Sequence, residues 1–144
     1  MGTPSATGEP PAPGGPPDAT AIASHKLPDN VLEVYSSMGM HSLYPWQAEA
    51  LARPGVLEGD ANLLYTAPTS GGKTLVAELL VLRRLLEGGA HSKARFVLPF
   101  RAVVAEKAAY FRRLLEPTKL QVADYYDDED ESGFVTFYWQ YLVD

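Results

Sequence analysis

The sequence predicts an α/β fold in which short apolar strands alternate with amphipathic helices around a parallel sheet. Two apolar runs, at residues 60–66 and 94–98, are each followed by a long helical pattern, at residues 75–87 and 102–115. A third apolar run follows at residues 120–123. Strands joined in the order β-α-β-α-β form parallel sheets with right-handed crossovers, so helices are expected to flank the sheet.

Each of these elements has its own signal. Gly59 and Pro68 bound the first run, and Pro99 ends the second, as expected of short buried strands. Leucine and valine cover a wide face of the first long helix, which the pair Gly88-Gly89 should terminate. Pro117 should end the second long helix.

Two short helices are expected before the first strand. Apolar residues recur at helical spacing from 31 to 35, with Asp29 or Asn30 as candidate caps, and residues 46–52 predict the second helix.

Composition divides the 144-residue chain into three parts. Residues 1–26 are rich in proline, glycine and alanine, and such a segment has too little apolar surface to offset its chain entropy, so we expect disorder. Residues 27–125 carry the predicted helices and strands. Residues 126–144 combine a five-residue acidic run, 127–131, with an aromatic, β-branched segment that favours a strand but leaves its structure open.

Several protein classes are excluded by simple features. The chain has no cysteine, which excludes disulfides and Cys-based zinc sites, and its three histidines are too scattered to indicate a metal site. No run approaches the ~18 apolar residues of a membrane span, and no secretory signal is apparent, so we expect a soluble intracellular protein with no membrane partner. The net charge of −6 conceals a basic middle, because residues 73–119 hold ten basic and four acidic residues.

A glycine-rich turn between the first strand and the first long helix matches the phosphate-binding loop, although an alanine stands where the first glycine is usual. The loop comprises Ala67, Pro68, Thr69, Ser70, Gly71, Gly72, Lys73 and Thr74. The two glycines let backbone N–H groups face phosphate oxygens, and the helix that starts at Lys73 adds its positive dipole end. Lys73 is expected to reach the β- and γ-phosphates of ATP, and the Thr74 hydroxyl to coordinate Mg²⁺. A glycine-rich turn with no ligand is the alternative.

The motifs around this loop resemble one group of superfamily 2 DNA helicases. They are LYPWQAE at residues 43–49, upstream of the loop, and FVLPFR at residues 96–101, after it. The group includes the helicase-like region of DNA polymerase theta and stand-alone repair helicases, and the resemblance covers residues 27–124. It implies a RecA-like P-loop NTPase fold with a parallel sheet, present as an incomplete first helicase domain. It also implies ATP and Mg²⁺ as cofactors and DNA repair in the nucleus.

Two further site residues are implied by the resemblance. Gln47 matches the glutamine that hydrogen-bonds the adenine edge, and Arg101 matches the position that contacts the nucleic-acid backbone, with single-stranded DNA as the expected partner. The alternatives are a partly exposed Gln47 on a short helix and an Arg101 that is only a solvated charge. Tyr44 and Trp46 are expected mainly to pack, with stacking on the base as the alternative.

Helicases of this superfamily also use a second acidic motif, Asp-Glu, and arginines from a second RecA-like domain. Neither a buried strand that ends in Asp-Glu nor a second domain is recognised within these 144 residues. Asp144 ends a strand-like run without a glutamate after it, and the acidic run 127–131 is interpreted as a charged loop. Two functions therefore stay open. The chain is either the ATP-binding N-terminal portion of a helicase whose hydrolysis belongs to a longer parent, or a nucleotide- or DNA-binding fragment without turnover. A small-molecule kinase is disfavoured because it would leave the motifs of Gln47 and Arg101 unexplained.

Overall fold

The structure is a computed structural model that describes residues 21–68, 70–126 and 132–139. Four α-helices, three strands and two 3-10 turns make up this part of the chain. In order they are a 3-10 turn at Ile22–His25, α1 at Asp29–Ser37, α2 at Pro45–Leu51, α3 at Lys73–Glu87, a 3-10 turn at Gly89–His91, β1 at Ala94–Leu98, α4 at Arg101–Leu115, β2 at Leu120–Tyr126 and β3 at Gly133–Trp139. The four helices and β1 lie close to their predicted limits, and β2 extends three residues beyond its own.

The fold begins before residue 27. Ile22 is 2% exposed and belongs to the core, and its N–H donates to the carbonyl oxygen of His41 at 3.2 Å. Ala21 forms a β-bridge with Ser42. The prediction of a disordered segment up to residue 26 is therefore wrong for residues 21–26, because one buried isoleucine and this bridge hold them against the segment before α2. Residues 1–20 lie outside the described part of the chain.

The sheet is antiparallel, with strand order β1-β3-β2. Val97 of β1 pairs with Phe134 of β3, and Phe134 pairs with Tyr125 of β2. The predicted parallel sheet is thus corrected. β1 and β2 do run in the same direction, joined across α4, but β3 returns from β2 through a short connection and inserts between them. Short connections join antiparallel neighbours, and the aromatic and β-branched residues of β3 suit a central strand.

Residues 62–68, predicted to lie mostly in a strand, have no assigned secondary structure. Their burial nevertheless alternates as in a strand, since Leu63 and Tyr65 are half-buried whereas Leu64 is 95% exposed. A strand requires a neighbour for its backbone hydrogen bonds, and no described strand pairs with this segment. The prediction of a paired strand at residues 60–66 is therefore wrong.

Helix α4 covers the inner face of the sheet and forms the centre of the core. Phe111 of α4 is fully buried, and its ring lies 4.8 Å from that of Phe137 in β3 and 5.6 Å from that of Phe96 in β1. Helix α3 contributes Val76, Leu79, Leu82 and Leu85 to the same core. Both long helices thus contribute to one core, and Lys73 stands at the start of one and Arg101 at the start of the other.

Candidate nucleotide-binding site

The turn before α3 closes around the side chain of Lys73. Its Nζ atom donates to the carbonyl oxygens of Ala67 at 2.7 Å and Pro68 at 2.9 Å, and the N–H of Gly71 donates to the same Pro68 oxygen at 2.9 Å. Ser70 has φ of 65°, a left-handed conformation that the sequence did not indicate. Thr69 of the predicted loop lies outside the described residues. The remaining predicted loop residues thus lie together, with the lysine across the turn.

Both glycines of the turn are required by close contacts. A Cβ atom on Gly71 would lie 2.8 Å from the Pro68 carbonyl oxygen. A Cβ atom on Gly72 would lie 2.5 Å from Nε2 of Gln47, and Gly72 also has φ of +77°, which disfavours any other residue. The backbone therefore approaches its neighbours more closely here than a side chain would permit.

Gln47 holds the turn to helix α2. It is 1% exposed, so the alternative of a partly exposed glutamine is wrong. Its Nε2 donates to the carbonyl oxygen of Gly72 at 2.7 Å, and its Oε1 accepts from the backbone N–H of Tyr44 at 2.7 Å. The second contact caps α2, since Gln47 is the third residue of the helix and Tyr44 immediately precedes it. The three-residue spacing of Tyr44 and Gln47 in the sequence is that of a capping box. Contact with adenine stays a prediction.

A cavity of about 560 Å³ lies beside the turn. Among its lining residues are Tyr44, Gln47, Gly72, Thr74 and Glu78. Tyr44 is 58% exposed at this cavity, so its predicted role as a packing residue is wrong. The cavity brings the predicted residues Gln47 and Thr74 to a single space next to the loop.

The aromatic residues beneath the turn support α3. Trp46 packs against Tyr65, with ring centroids 5.8 Å apart, as predicted for a packing role. The Tyr65 hydroxyl donates to the carbonyl oxygen of Lys73 at 2.6 Å. The first turn of α3 is thus tied to the chain segment that enters the loop.

Sequence reasoning missed a buried carboxylate in the wall of this cavity. Glu78 is 3% exposed, and its Oε1 accepts hydrogen bonds from the hydroxyls of Tyr35 at 2.8 Å and Tyr110 at 2.5 Å. Burial raises the pKa of the Glu78 carboxyl, against the lowering effect of the two tyrosine hydrogen bonds and of Lys107. The signal was available, because Glu78 is an acid within the apolar stripe of an amphipathic helix, four residues after Thr74.

Arg101 is exposed at the first position of α4, next to Phe100, which is 56% exposed. Arg112 forms an ion pair with Asp124. The pKa of the Asp124 carboxyl is lowered mainly by a hydrogen bond from Tyr126 and then by the hydrogen bond from Arg112. Arg112 is therefore held by β2. Arg101 stands at the helix end where the resemblance put a nucleic-acid contact.

Arg83 and Arg84, which are neighbours on α3, have intramolecular partners. Arg83 forms an ion pair with Glu87 at 3.2 Å, and Arg84 donates to the carbonyl oxygen of Glu58 at 3.3 Å. Across residues 21–68, 70–126 and 132–139, no group of three or more His, Asp and Glu side chains is arranged to hold a metal ion. Within the same ranges, no helix has the length and apolar character needed to cross a membrane.

The profile of the DEAD/DEAH box helicase family matches residues 44–134, which include α2, the loop, α3, β1, α4 and β2. The chain belongs to this helicase family. Family membership indicates the RecA-like P-loop fold, of which the described residues form an incomplete domain with a small three-stranded sheet. The resemblance inferred from the sequence motifs is confirmed.

Individual relatives of the helicase domain agree with the family match. Mouse DNA polymerase theta (Mus musculus) is 47% identical over 116 residues, which are 81% of this chain and 4% of that protein. The ATP-dependent DNA helicase Hel308 of Methanocella arvoryzae is 43% identical over 101 residues, 70% of this chain and 13% of the helicase. The helicase POLQ-like protein of Drosophila melanogaster is 45% identical over 84 residues, 58% and 8% of the two chains. The chain thus spans a small part of the curated relatives that it matches.

Proposed function

We propose that this chain is the ATP-binding N-terminal portion of a polymerase theta-like superfamily 2 DNA helicase. In the longer protein, ATP hydrolysis would be coupled to movement on DNA during repair in the nucleus. The observation that carries the proposal is the Lys73 ammonium group, which lies across the glycine turn at the start of a 15-residue helix. The name of the Hel308 relatives, ATP-dependent DNA helicases, supports ATP and DNA as the ligands.

The residues of the turn suit a nucleotide triphosphate. Gly71 and Gly72 keep the turn free of side chains, and the first N–H groups of α3 provide positive partial charge for phosphate oxygens. Lys73 would exchange its carbonyl partners for the β- and γ-phosphates, a charge-assisted contact. The Thr74 hydroxyl would supply one ligand to Mg²⁺, which in phosphate sites takes most of its ligands from phosphate oxygens and water.

The cavity suits the base of the nucleotide. In its two hydrogen bonds the Gln47 amide uses one N–H and one oxygen lone pair, so a second N–H and a second lone pair remain for the adenine edge. Tyr44, exposed at the cavity, offers an aromatic ring for stacking. ATP would thus place its phosphates at Lys73 and its base near Gln47.

Replacing Lys73 by alanine tests the nucleotide proposal. Loss of a charge-assisted contact to phosphate costs about 1.5–3 kcal/mol, so affinity for a fluorescent ATP analogue with Mg²⁺ should fall at least about tenfold. Lys119→Ala is the matched control, because Lys119 is an exposed lysine in the turn before β2. Equal affinities of the unsubstituted chain and the Lys73→Ala variant would overturn the assignment of the phosphate-binding loop.

Turnover separates this proposal from the second candidate, a nucleotide- or DNA-binding fragment with no hydrolysis of its own. An arginine supplied to the transition state of phosphoryl transfer contributes roughly 10³–10⁵ in rate. No second domain that would supply this arginine and no buried strand ending in Asp-Glu is recognised after the loop, and the Asp-Glu pairs of the sequence lie in the acidic run 127–131. We therefore expect the 144-residue chain to hydrolyse ATP at the background rate, with or without DNA. Phosphate release that single-stranded DNA stimulates would contradict this expectation.

Arg101 is the proposed contact to nucleic acid. A guanidinium group at the first position of α4, within the basic middle of the chain, suits a backbone phosphate without sequence preference. We expect single-stranded DNA to bind with a dissociation constant of about 10⁻⁴–10⁻⁶ M, and more weakly as salt rises. Arg101→Ala should weaken binding and reduce the salt slope by about one phosphate contact, whereas Arg113→Ala at the other end of α4 should not. If Arg113→Ala weakens binding and Arg101→Ala does not, the DNA strand binds a different face of the protein.

A further inference from the structure

The proposed nucleotide and nucleic-acid contacts lie at the starts of two different helices. Lys73 and Thr74 open α3, and Arg101 opens α4. Glu78 of α3 and Tyr110 of α4 join the two helices through one partly buried hydrogen bond. We propose that Glu78 is a positioning residue that couples nucleotide binding at α3 to nucleic-acid binding at α4. This inference rests on the proposed function and adds the route by which its two sites communicate.

The hydrogen bonds at Glu78 restrict how the helices lie relative to one another. A single oxygen, Oε1, accepts from Tyr110 of α4 at 2.5 Å and from Tyr35 of α1 at 2.8 Å. Tyr35 is fully buried and Tyr110 is half-buried. Movement of α3 away from α4 would break the hydrogen bond from Tyr110 and leave Oε1 with Tyr35 as its donor, so the separation costs the free energy of that one hydrogen bond.

Glu78 is also close to the proposed nucleotide contacts. It follows Thr74 by four residues, so the two side chains share a helical face and lie roughly 6 Å apart along the axis. Tyr110 lies nine residues after Arg101, roughly 13–14 Å along α4. The hydrogen bond therefore joins α3 and α4 within a few turns of both proposed contacts.

One cavity connects the elements of this route. Its lining includes Thr74, Glu78, Lys107 and Tyr110, in addition to Gln47. Lys107 of α4 attracts the Glu78 carboxylate and stands over the Tyr110 ring at 5.2 Å. A nucleotide in this cavity would contact the wall formed by the hydrogen-bonded pair, so a change in the cavity reaches α4 directly.

Thermodynamic coupling tests this role. The affinity for a fluorescent ATP analogue with Mg²⁺ is measured with and without a single-stranded thymidine oligonucleotide, and the ratio of the two affinities is the coupling factor. Coupled sites typically show factors of about 5–150, and the same factor must appear when the roles of the two ligands are exchanged. We expect the unsubstituted chain to lie in this range.

Substitutions at the three side chains distinguish positioning from simple packing. Tyr110→Phe removes the link to α4 and should bring the coupling factor close to one. The coupling factor compares two affinities of the same variant, so a change in the affinity for nucleotide alone does not alter it. Tyr35→Phe is the matched control, because it removes the other donor to the same oxygen and should leave the coupling factor unchanged. Glu78→Gln keeps an acceptor oxygen and should preserve coupling, whereas Glu78→Leu should abolish it.

Several outcomes would overturn the inference. If the unsubstituted chain binds both ligands with a coupling factor of one, Glu78 does not connect the sites, although the proposed function stands. If Tyr35→Phe and Tyr110→Phe reduce coupling equally, or if Tyr110→Phe leaves it unchanged, Glu78 has only a packing role. If the unsubstituted chain binds no nucleotide, the proposed function fails and this inference fails with it.

Discussion

At the scale of single residues, Gly72 combines two requirements that only glycine meets. Its φ of +77° is strained for other residues, and a Cβ atom would collide with Nε2 of Gln47 at 2.5 Å. Such a Cβ atom would break the hydrogen bond from Gln47 Nε2 to the Gly72 carbonyl oxygen, through which Gln47 holds the loop. The conformation of the loop therefore depends on Gly72 in two ways, through its left-handed backbone and through its hydrogen bond with Gln47.

Gly72→Ala should lower stability and weaken nucleotide binding. Left-handed backbone alone costs about 1–2 kcal/mol, and displacement of Gln47 adds to this. Gly39→Ala is the matched control, since Gly39 has φ of +76° and no atom within 4 Å of an added Cβ. Urea unfolding should show a larger loss for Gly72→Ala than for Gly39→Ala. Equal losses would mean that the contact with Gln47 contributes nothing.

The sequence predicted the residues of the loop but not all of their contacts. Lys73 and the glycines follow from the chemistry of a phosphate-binding turn, and their neighbours along the chain identified the motif. The contact of Gln47 with Gly72 spans 25 residues, and the contacts of Glu78 with its tyrosines span more than 30. Such pairs depend on how helices pack, which local spacing does not specify.

At the scale of elements, β3 is the least expected feature and the centre of the sheet. Its Phe137 and Val135 are fully buried, and Phe137 contacts Phe111 of α4 edge-on. Local signals predicted the helices well, because periodicity and terminators such as Pro117 are read from neighbouring residues. The order of strands could not be read in this way, because pairing joins residues distant in sequence, as Leu120 with Trp139.

Phe137→Ala should destabilise the domain by about 3–5 kcal/mol, the usual cost of removing a buried aromatic ring. Thr136→Ala is the control on the same strand, because Thr136 is only partly buried and has one 3.2 Å hydrogen bond, to the Ala94 carbonyl oxygen. It should cost about 1 kcal/mol. Chemical denaturation followed by circular dichroism measures both. Similar small losses would show that β3 is not part of the folded core.

At the scale of the whole molecule, stability and charge are linked through the buried carboxylate. Glu78 faces Tyr35 of α1 and both Lys107 and Tyr110 of α4. Because burial raises its pKa above the value in the unfolded chain, the folded state holds this proton more tightly. The stabilising contribution is complete below the ordinary glutamate pKa and is lost as pH rises through the folded value. Asp124 acts in the opposite sense, since its lowered pKa gives stability that is lost at acid pH.

Glu78→Gln should therefore gain stability relative to the unsubstituted chain as pH rises from about 4 to 7. The amide keeps the acceptor oxygen and does not ionise, and the contribution of Asp124 cancels in the difference. Unfolding free energies of both proteins across this range give the comparison. A difference that shrinks or reverses as pH rises would show that burial does not raise the pKa of the Glu78 carboxyl.

The central claim is that the turn before α3 binds the phosphates of ATP. Backbone amide chemical shifts during titration with ATP and Mg²⁺ test it most directly, because they report where the ligand lies. We expect the largest changes at Ser70, Gly71, Gly72, Lys73 and Thr74, smaller changes at Gln47, and none of these in the Lys73→Ala variant. Changes confined to the sheet, or the same changes in the Lys73→Ala variant, would contradict the account.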